Sequence, residues 1–159
     1  MRRRSSRKAA RSDFGMTRIS TGTPQQARLP NPRKHQSIVL DSSARFKLPV
    51  CGRRWNKSSL SLIASLKGHG PTDTRTGRHL RRGVLEGGNV AWIGKTTKQA
   101  KKFWRFAKKA LLPIPGVEKA EQDREIILPN GGQFTVWSAE EPDNIRGDGL
   151  DGVVCDEAA

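Results

Sequence analysis

Residues 50–66, VCGRRWNKSSLSLIASL, decide how the fold of this chain is interpreted. They join the end of a short apolar segment to a basic turn and then directly to an apolar periodic segment. Residues 45–50, RFKLPV, predict a strand, and the leucines and isoleucine after the turn recur at helical spacing until Gly68. The pattern therefore predicts a strand, a tight turn and a helix in direct succession.

The same layout is typical of a phosphate-binding loop, in which backbone amides surround phosphate oxygens and a lysine reaches the terminal phosphates. Lys57 and Ser58 stand at the required spacing after Cys51, the first residue of the turn. Such loops use glycine to reach unusual backbone conformations, and this turn has Cys51 and Asn56 at two of those positions. Asparagine enters the left-handed region readily, so we expect Asn56 to hold the turn. The alternative is a basic turn that contains Lys-Ser by chance.

A second Gly-Lys-Thr sequence, at residues 94–96, is a rival for the phosphate loop. Counting back from Gly94, the position that requires glycine is Asn89, and the intervening VAWI is typical of a buried strand. Amides in such a strand bond to the sheet and cannot also turn toward a phosphate. We therefore predict a strand over NVAWIG, residues 89–94, with GKTT as its exit.

The remaining segments predict an α/β fold with a mostly parallel sheet and flanking helices. Residues 96–112 have an apolar helical face opposite a basic one, which indicates a crossover helix, although a DNA-binding or membrane-surface helix shares the pattern. EIIL and QFTVWS flank PNGG, whose Asn-Gly predicts a hairpin. Residues 70–83, GPTDTRTGRHLRRG, lack apolar periodicity and predict a loop or a poorly ordered insertion.

Charge is distributed unevenly along the 159 residues, whose net charge is +15. Residues 1–60 carry 15 Lys and Arg against 2 Asp and Glu, residues 61–112 carry 12 against 2, and residues 113–159 carry 3 against 11. The basic part predicts a surface that faces a polyanion such as nucleic acid, although a solvated basic surface has the same composition. No apolar run approaches the roughly 20 residues needed to span a bilayer, so we expect a soluble protein without membrane contact.

The first 33 residues are rich in Arg, Ser, Pro and Gln and predict a basic disordered tail. Their composition also fits an organelle transit peptide, whereas no apolar core indicates a secretory signal. Cys51 and Cys155 are too few for a metal site of the usual cysteine and histidine type. Their number favours a reducing compartment.

Two carboxylates, Asp156 and Glu157, follow an apolar segment that predicts a buried strand over residues 153–155. Ligands bind at the carboxyl ends of strands in open α/β sheets. In phosphate-loop ATPases the first carboxylate of such a pair anchors Mg²⁺, and the second orients and deprotonates the attacking water. A solvated acidic segment is the alternative, but a phosphate loop upstream is what such a pair requires.

Taken together, these elements resemble the large subunit of phage terminases, the ATPase motor that packs viral DNA into a capsid. The resemblance covers residues 32–159. HQSIVLDSSARF is similar to the upstream glutamine segment of the family, CGRRWNKS to its phosphate loop, and VAWIGKTTKQAKKFW to its second strand and helix. ILPNGGQFTVWSAEEPDNIRGDGLDGVVCDEAA is similar to its hairpin, Arg-Gly loop and acidic strand end. Two departures are Asn56 in place of glycine and GKTT in place of a more usual Ala-Pro-Thr.

The resemblance implies a Mg²⁺-dependent ATPase and assigns roles to particular residues. Ser58 and Asp156 would hold Mg²⁺, Glu157 would activate water, and Arg146 would sense nucleotide or DNA unless it anchors its loop through a salt bridge. Arg53 or Arg54 would stabilise charge on the transferring phosphate. The implied nucleotide-binding residues are Gln36, as an adenine contact, and Cys51, Gly52, Arg53, Arg54, Trp55, Asn56, Lys57 and Ser58.

After the basic tail over residues 1–33, the resemblance implies a partial ATPase domain of the ASCE type over residues 34–159. We expect the sheet to be incomplete at its C-terminal end, because the family's coupling motif, further strands and nuclease domain have no counterpart here. The implied partners are double-stranded DNA, the portal protein, the small terminase subunit and further copies in a ring, in the cytoplasm of a phage-infected or prophage-carrying host. We expect weak ATP binding and little turnover. The alternatives are another phosphate-loop DNA motor, such as a helicase or repair enzyme, and a catalytically silent basic nucleic-acid-binding fragment.

Overall fold

A computed structural model describes residues 27–142 and 149–156 of the chain. These residues form three α-helices, one short 3-10 helix (Val84–Glu86) and seven strands. The helices are α1 (Lys34–Asp41), α2 (Lys57–Lys67) and α3 (Thr97–Leu111). The strands are β1 (Gly68–Thr72), β2 (His79–Arg82), β3 (Asn89–Gly94), β4 (Glu118–Ala120), β5 (Glu125–Ile127), β6 (Gln133–Ser138) and β7 (Gly152–Asp156).

The main sheet has five strands in the order β4-β5-β6-β3-β7. β3 lies between β6 and β7 and is parallel to both, whereas β4–β5 and β5–β6 are antiparallel pairs. The fold is therefore α/β as predicted, but the sheet is mixed, and the prediction of a mostly parallel sheet was wrong. The reason is local, because the PNGG turn joins β5 to β6 and a further short strand, β4, adds to the antiparallel side. The predicted hairpin is confirmed, with Gly131 at φ 81° and the Leu128 amide donating to Gly132 O at 2.8 Å.

Helix α3 packs its apolar face on the sheet, as its periodicity predicts. A capping box begins the helix, because the Thr96 hydroxyl accepts the Gln99 amide and the Gln99 side chain accepts the Thr96 amide. Phe103 stacks on Trp92 of β3 with ring centroids 4.0 Å apart and planes 3° from parallel. The apolar face predicted for this helix is confirmed by its burial, since its buried residues are Ala100, Phe103, Trp104, Ala107, Ala110 and Leu111.

A separate two-stranded sheet, formed by β1 and β2, occupies half of the segment that predicted a loop. Its strands are antiparallel, and Gly68 pairs with Arg82 at one end. A Cβ at Gly68 would meet Arg81 O at 2.5 Å, so this glycine permits the close approach of β2. The prediction failed because these strands, GHGPT and HLRR, contain one large apolar residue, Leu80, which is 51% exposed, so the apolar alternation that marks a strand is missing.

Residues 45–50 form no strand, contrary to prediction. Their apolar side chains alternate as a strand requires, but they are exposed, with relative accessibilities of 85% for Phe46, 83% for Leu48 and 91% for Val50. Alternation predicts which side chains share a face, and a strand additionally needs a neighbour for its backbone hydrogen bonds. This segment is paired with no strand among the described residues.

Contacts with the domain begin before residue 34, where the predicted tail ends. The Arg28 amide donates to Ala110 O at 2.9 Å, and Leu29 packs against the main core. Residues 27–33 are therefore attached to the end of α3, whereas residues 1–26 lie outside the described part of the chain. None of the helices within the described residues has the length and apolar character to span a membrane.

Candidate functional site

An open cleft of about 810 Å³ lies between α2, residues 45–51 and β7. Lys57, the first residue of α2, and Asp156, the last residue of β7, both line it. The cleft thus brings together one lysine and one carboxylate that the sequence analysis assigned to phosphate and Mg²⁺. Val153 and Cys155 of β7 line the same cleft.

The turn before α2 has asparagine at a position where a phosphate loop usually has glycine, and its backbone there is left-handed. Asn56 is left-handed, with φ 64° and ψ 44°, which confirms the prediction that it can hold this conformation. Arg54 is also left-handed, with φ 64°. Gly52 has no positive φ, and a Cβ there would meet nothing within 4 Å. The turn therefore requires left-handed backbone at Arg54 and Asn56 and not at its glycine.

Replacing Asn56 with alanine should destabilise the fold by about 1 kcal/mol, because a residue with a Cβ and no polar side chain is strained in the left-handed region. The same change removes the bond in which the Ser59 hydroxyl donates to Asn56 Oδ1 at 2.9 Å. Asn56→Gly relieves the backbone strain and should stay within about 0.5 kcal/mol of the parent chain. Urea unfolding of both variants checks the difference, and equal losses would show that the backbone conformation is not what asparagine supplies.

Gln36 clamps this turn from helix α1. Its side chain is fully buried, and its Nε2 donates to the backbone oxygens of Trp55 at 3.3 Å and Asn56 at 3.1 Å. Its Oε1 accepts the Arg33 amide at 2.8 Å. In a trans peptide the carbonyl and the next amide point in opposite directions, so this clamp turns the Asn56 and Lys57 amides away from α1. The adenine contact of Gln36 stays a prediction, while its contacts in the fold make it a support for the turn.

Trp55, which the resemblance assigns to the nucleotide site, packs against the interior beneath the turn. Its ring lies 4.6 Å from the His35 ring, centroid to centroid, and it packs against a small buried cluster of Leu40, Leu60 and Ile63. The two helices that flank the turn, α1 and α2, supply that cluster. Trp55 therefore joins the turn to the hydrophobic interior between them.

The polar and basic residues at the turn remain accessible. Lys57 and Ser58 are exposed at the start of α2, and the Asn56 side chain does not cap this helix. Arg53 and Arg54 are exposed, and neither has a hydrogen bond or ion pair with the described residues. Of these residues, Lys57 lines the cleft, whereas Arg53, Arg54 and Ser58 are not among its lining residues.

Strand β7 is an edge strand, and this changes the environment of the acidic residues. It pairs with β3 on one side, and Val153 is 49% exposed, so the prediction of a buried strand was wrong.

Asp151 anchors the start of β7, because its carboxylate accepts the Asn89 amide at 2.9 Å and the Arg82 guanidinium at 3.0 Å. The Asn89 amide, together with Arg82, lowers the pKa of Asp151. Sequence reasoning missed this anchor. Glu157 and Arg146 lie outside the described residues.

The rival Gly-Lys-Thr sequence is the exit of β3, as predicted. Gly94 ends the strand, and the first turn of α3 already has an anionic partner. The Thr97 amide and hydroxyl each donate to Glu140 at 2.8 Å, and these bonds lower the pKa of Glu140. A carboxylate therefore occupies the place that a phosphate would take.

Within the described residues, no group of three or more His, Cys, Asp and Glu side chains is arranged to hold a metal ion. The implied Mg²⁺ ligands, a serine hydroxyl and one carboxylate, are hard oxygen donors of the kind that Mg²⁺ accepts when phosphate and water complete its shell. Each of the two side chains is a suitable donor on this chemical ground, but only Asp156 lines the cleft. No family model matches this chain, and no curated protein and no solved structure is significantly similar to it.

Proposed function

We propose that this chain is the nucleotide-binding part of an ATP-driven DNA-packaging motor of the phage terminase large-subunit type, with a phosphate-loop NTPase fold. The observation that supports the proposal most directly is that Lys57 and Asp156, far apart in sequence, line one cleft. The cleft volume of about 810 Å³ lies within the usual range for small-molecule sites, about 300 to 1,000 Å³. A nucleoside triphosphate is a ligand of suitable size and charge.

The residues of the turn supply the groups that a triphosphate needs. The ammonium group of Lys57 is placed to pair with phosphate oxygens, and the Asn56 and Lys57 amides are directed away from Gln36 as a pair of donors. Arg53 and Arg54 add positive charge at the same turn. Ser58 and Asp156 would hold Mg²⁺, which neutralises phosphate charge when bound.

The catalytic and coupling roles are proposed from the sequence. Glu157 follows Asp156 directly and would orient and deprotonate the attacking water, and Arg146 would report on nucleotide or DNA. As a packaging motor, the protein would act in the host cytoplasm on double-stranded DNA, with a portal protein, a small terminase subunit and further copies of the large subunit. We expect this chain to bind ATP weakly and to turn it over slowly.

A catalytically silent nucleic-acid-binding protein is the second candidate, and the outer face of α3 favours it. That face is exposed and basic, and it needs no nucleotide to attract a phosphate backbone. Its exposed cations are Lys98, Lys101, Lys102, Arg105 and Lys109. This candidate predicts DNA binding that is indifferent to every change in the cleft.

Lys57→Ala should weaken Mg²⁺-ATP binding by roughly 10-fold to 100-fold, because a charge-assisted hydrogen bond to phosphate contributes about 1.5 to 3 kcal/mol. Isothermal titration of the full chain measures the affinity. Lys67→Ala is the matched control, since Lys67 is an exposed lysine at the other end of the same helix. Equal affinities of the two variants for ATP would remove the nucleotide site, and so would failure of the parent chain to bind ATP at millimolar concentration.

A further inference from the structure

Three basic side chains from different segments converge beside the cleft, away from the phosphate-binding turn. His69 of β1 and Arg81 of β2 are directly opposed in the antiparallel register, which places their side chains on the same face. Lys47 comes from the segment that borders the cleft, and both Lys47 and His69 line the cleft. The charges of Lys47 and Arg81 act on His69 and on each other. We call Lys47, His69 and Arg81 the hairpin cluster.

The hairpin cluster has little compensating negative charge within the described residues. Asp41 acts on Lys47 and is exposed at the end of α1. Glu86 is engaged elsewhere, because its carboxylate lies 2.6 Å from His79 Nδ1 and accepts the His79 amide. Burial and the charges of Lys47 and Arg81 lower the pKa of His69, so the positive charge of the cluster lies on Lys47 and Arg81. The cluster therefore has the charge of an anion-binding site.

Unpaired hydrogen-bonding atoms in the hairpin cluster also indicate an anion-binding site. His69 Nδ1 and Arg81 Nε are buried, and neither has a hydrogen-bond partner in the described structure. Buried polar atoms without partners are uncommon in folded proteins, and a bound ion is one of the few ways to satisfy them. The Lys47 ammonium donates to Leu40 O at 3.1 Å, which holds it on the cleft side of α1.

We propose that the hairpin cluster is a second oxyanion site, specific for a phosphate group and distinct from the turn around Lys57. Two permanent positive charges, on Lys47 and Arg81, match the charge of a phosphate dianion, and the fork of the Arg81 guanidinium suits two of its oxygens. His69 supplies a further donor. The phosphate belongs to a nucleotide in the cleft, to a nucleic-acid backbone or to free phosphate, since all three present the same oxygens.

Protonation of His69 provides a readout of the site. Burial, followed by the charges of Lys47, Arg81 and His79, lowers the pKa of His69 to about 4. A bound dianion favours the charged imidazole, so the pKa of His69 rises on binding. Between the free and the bound pKa values, binding takes up a proton and strengthens as the pH falls. Asp41 and His79 are the other titratable groups that act on the cluster, and Glu86 reaches it only through its contact with His79.

The test is a titration of the full chain with inorganic phosphate at constant ionic strength, in which NMR follows the His69 imidazole. The expected result is a saturable upward shift of the His69 pKa, with affinity reduced about tenfold in Arg81→Met and in Lys47→Met. Arg75→Met is the matched control, because Arg75 lies in the β1–β2 connection with its side chain 90% exposed. A circular dichroism melt of each variant excludes unfolding as the cause of a loss.

Two competition arms identify the source of the phosphate. Displacement of inorganic phosphate from His69 by ATP supports a nucleotide, and displacement by a short DNA duplex supports a nucleic-acid backbone. If neither ATP nor the DNA duplex displaces inorganic phosphate, free phosphate is the ligand. An unchanged His69 pKa at saturating phosphate, or equal phosphate affinity in Arg81→Met and Arg75→Met, overturns the proposal. Lys57→Ala leaves the His69 response to phosphate intact, so the two sites succeed or fail separately.

Discussion

Gln36→Leu is expected to lower the free energy of unfolding by about 2 to 4 kcal/mol, because leucine fills the same volume but can neither donate nor accept a hydrogen bond. The change leaves the backbone oxygen of Trp55 and the amide of Arg33 without the partners they have in the fold. Asn56 O keeps the amides of Ser59 and Leu60, which limits the loss. Urea unfolding followed by tryptophan fluorescence measures the effect.

The companion variant Gln36→Glu separates the direction of the hydrogen bonds from simple packing. An introduced carboxylate would face two carbonyl oxygens in a buried site, so its pKa in the folded protein should rise above its value in the unfolded chain. A raised folded-state pKa means that stability is largest below the unfolded pKa, about 4.3, and is lost as the pH rises through the folded value. Unfolding at pH 4 and pH 8 checks this. A pH-independent loss equal to that of Gln36→Leu would contradict the clamp.

The clamp also predicts an effect on nucleotide binding that a purely structural residue would not have. In this variant the carbonyls of Trp55 and Asn56 lose their hydrogen bonds to Gln36. The turn then no longer directs the Asn56 and Lys57 amides to one side, so the ATP affinity of the folded variant should fall. Trp55→Leu is the matched comparison, since it disturbs the hydrophobic side of the same turn and leaves the Gln36 bonds in place. A lower affinity in both variants by the same factor would mean that only turn stability matters.

Elements with local signals could be predicted from the sequence. Helices α2 and α3 carry their own periodicity and end signals, and strand β3 is a continuous apolar run. The Asn-Gly hairpin is specified by its two turn residues. The left-handed conformation of Asn56 could also be predicted, because asparagine adopts it more readily than most other residues that have a Cβ.

Features that depend on a distant partner could not be predicted. Residues 45–50 have the alternation of a strand, but whether they become one depends on a neighbouring edge. The β1–β2 pair is the opposite case, since its strands pair with each other while burying little apolar surface. The edge position of β7 depends on sheet order, which alternation within the strand does not report.

The candidate site likewise combines features that could be predicted from the sequence with features that could not. Lys57 and Asp156 were expected at one edge of the sheet because ligands bind beyond the carboxyl ends of strands, and both line the cleft, although residues 45–50 before Lys57 form no strand. The role of Gln36 depends on the angle between α1 and the turn, and the hairpin cluster depends on the register that opposes His69 to Arg81. Neither angle nor register is visible in the residues themselves. Both features join segments that the sequence keeps apart.

Trp92→Ala is expected to have the largest effect on stability, a loss of about 3 to 5 kcal/mol, because it empties the centre of the main core. Trp92 is 1% exposed on the interior strand β3, stacks on Phe103, and pairs in register with Val154 of β7. The loss therefore reaches the strand that carries Asp156, and thermal unfolding should show one cooperative transition at lower temperature.

Trp92→Phe is the control that distinguishes packing from hydrogen bonding. The indole Nε1 of Trp92 is buried without a partner among the described residues, so its removal carries no hydrogen-bond cost. Phenylalanine keeps a ring against Phe103 and should lose only about 1 to 2 kcal/mol through the smaller buried area. If the two variants were equally destabilised, the indole nitrogen would have to make a bond that the fold does not show. If neither variant were destabilised, the packing of Trp92 would not hold β3 in the core. The position of β7 at the cleft would then not depend on β3.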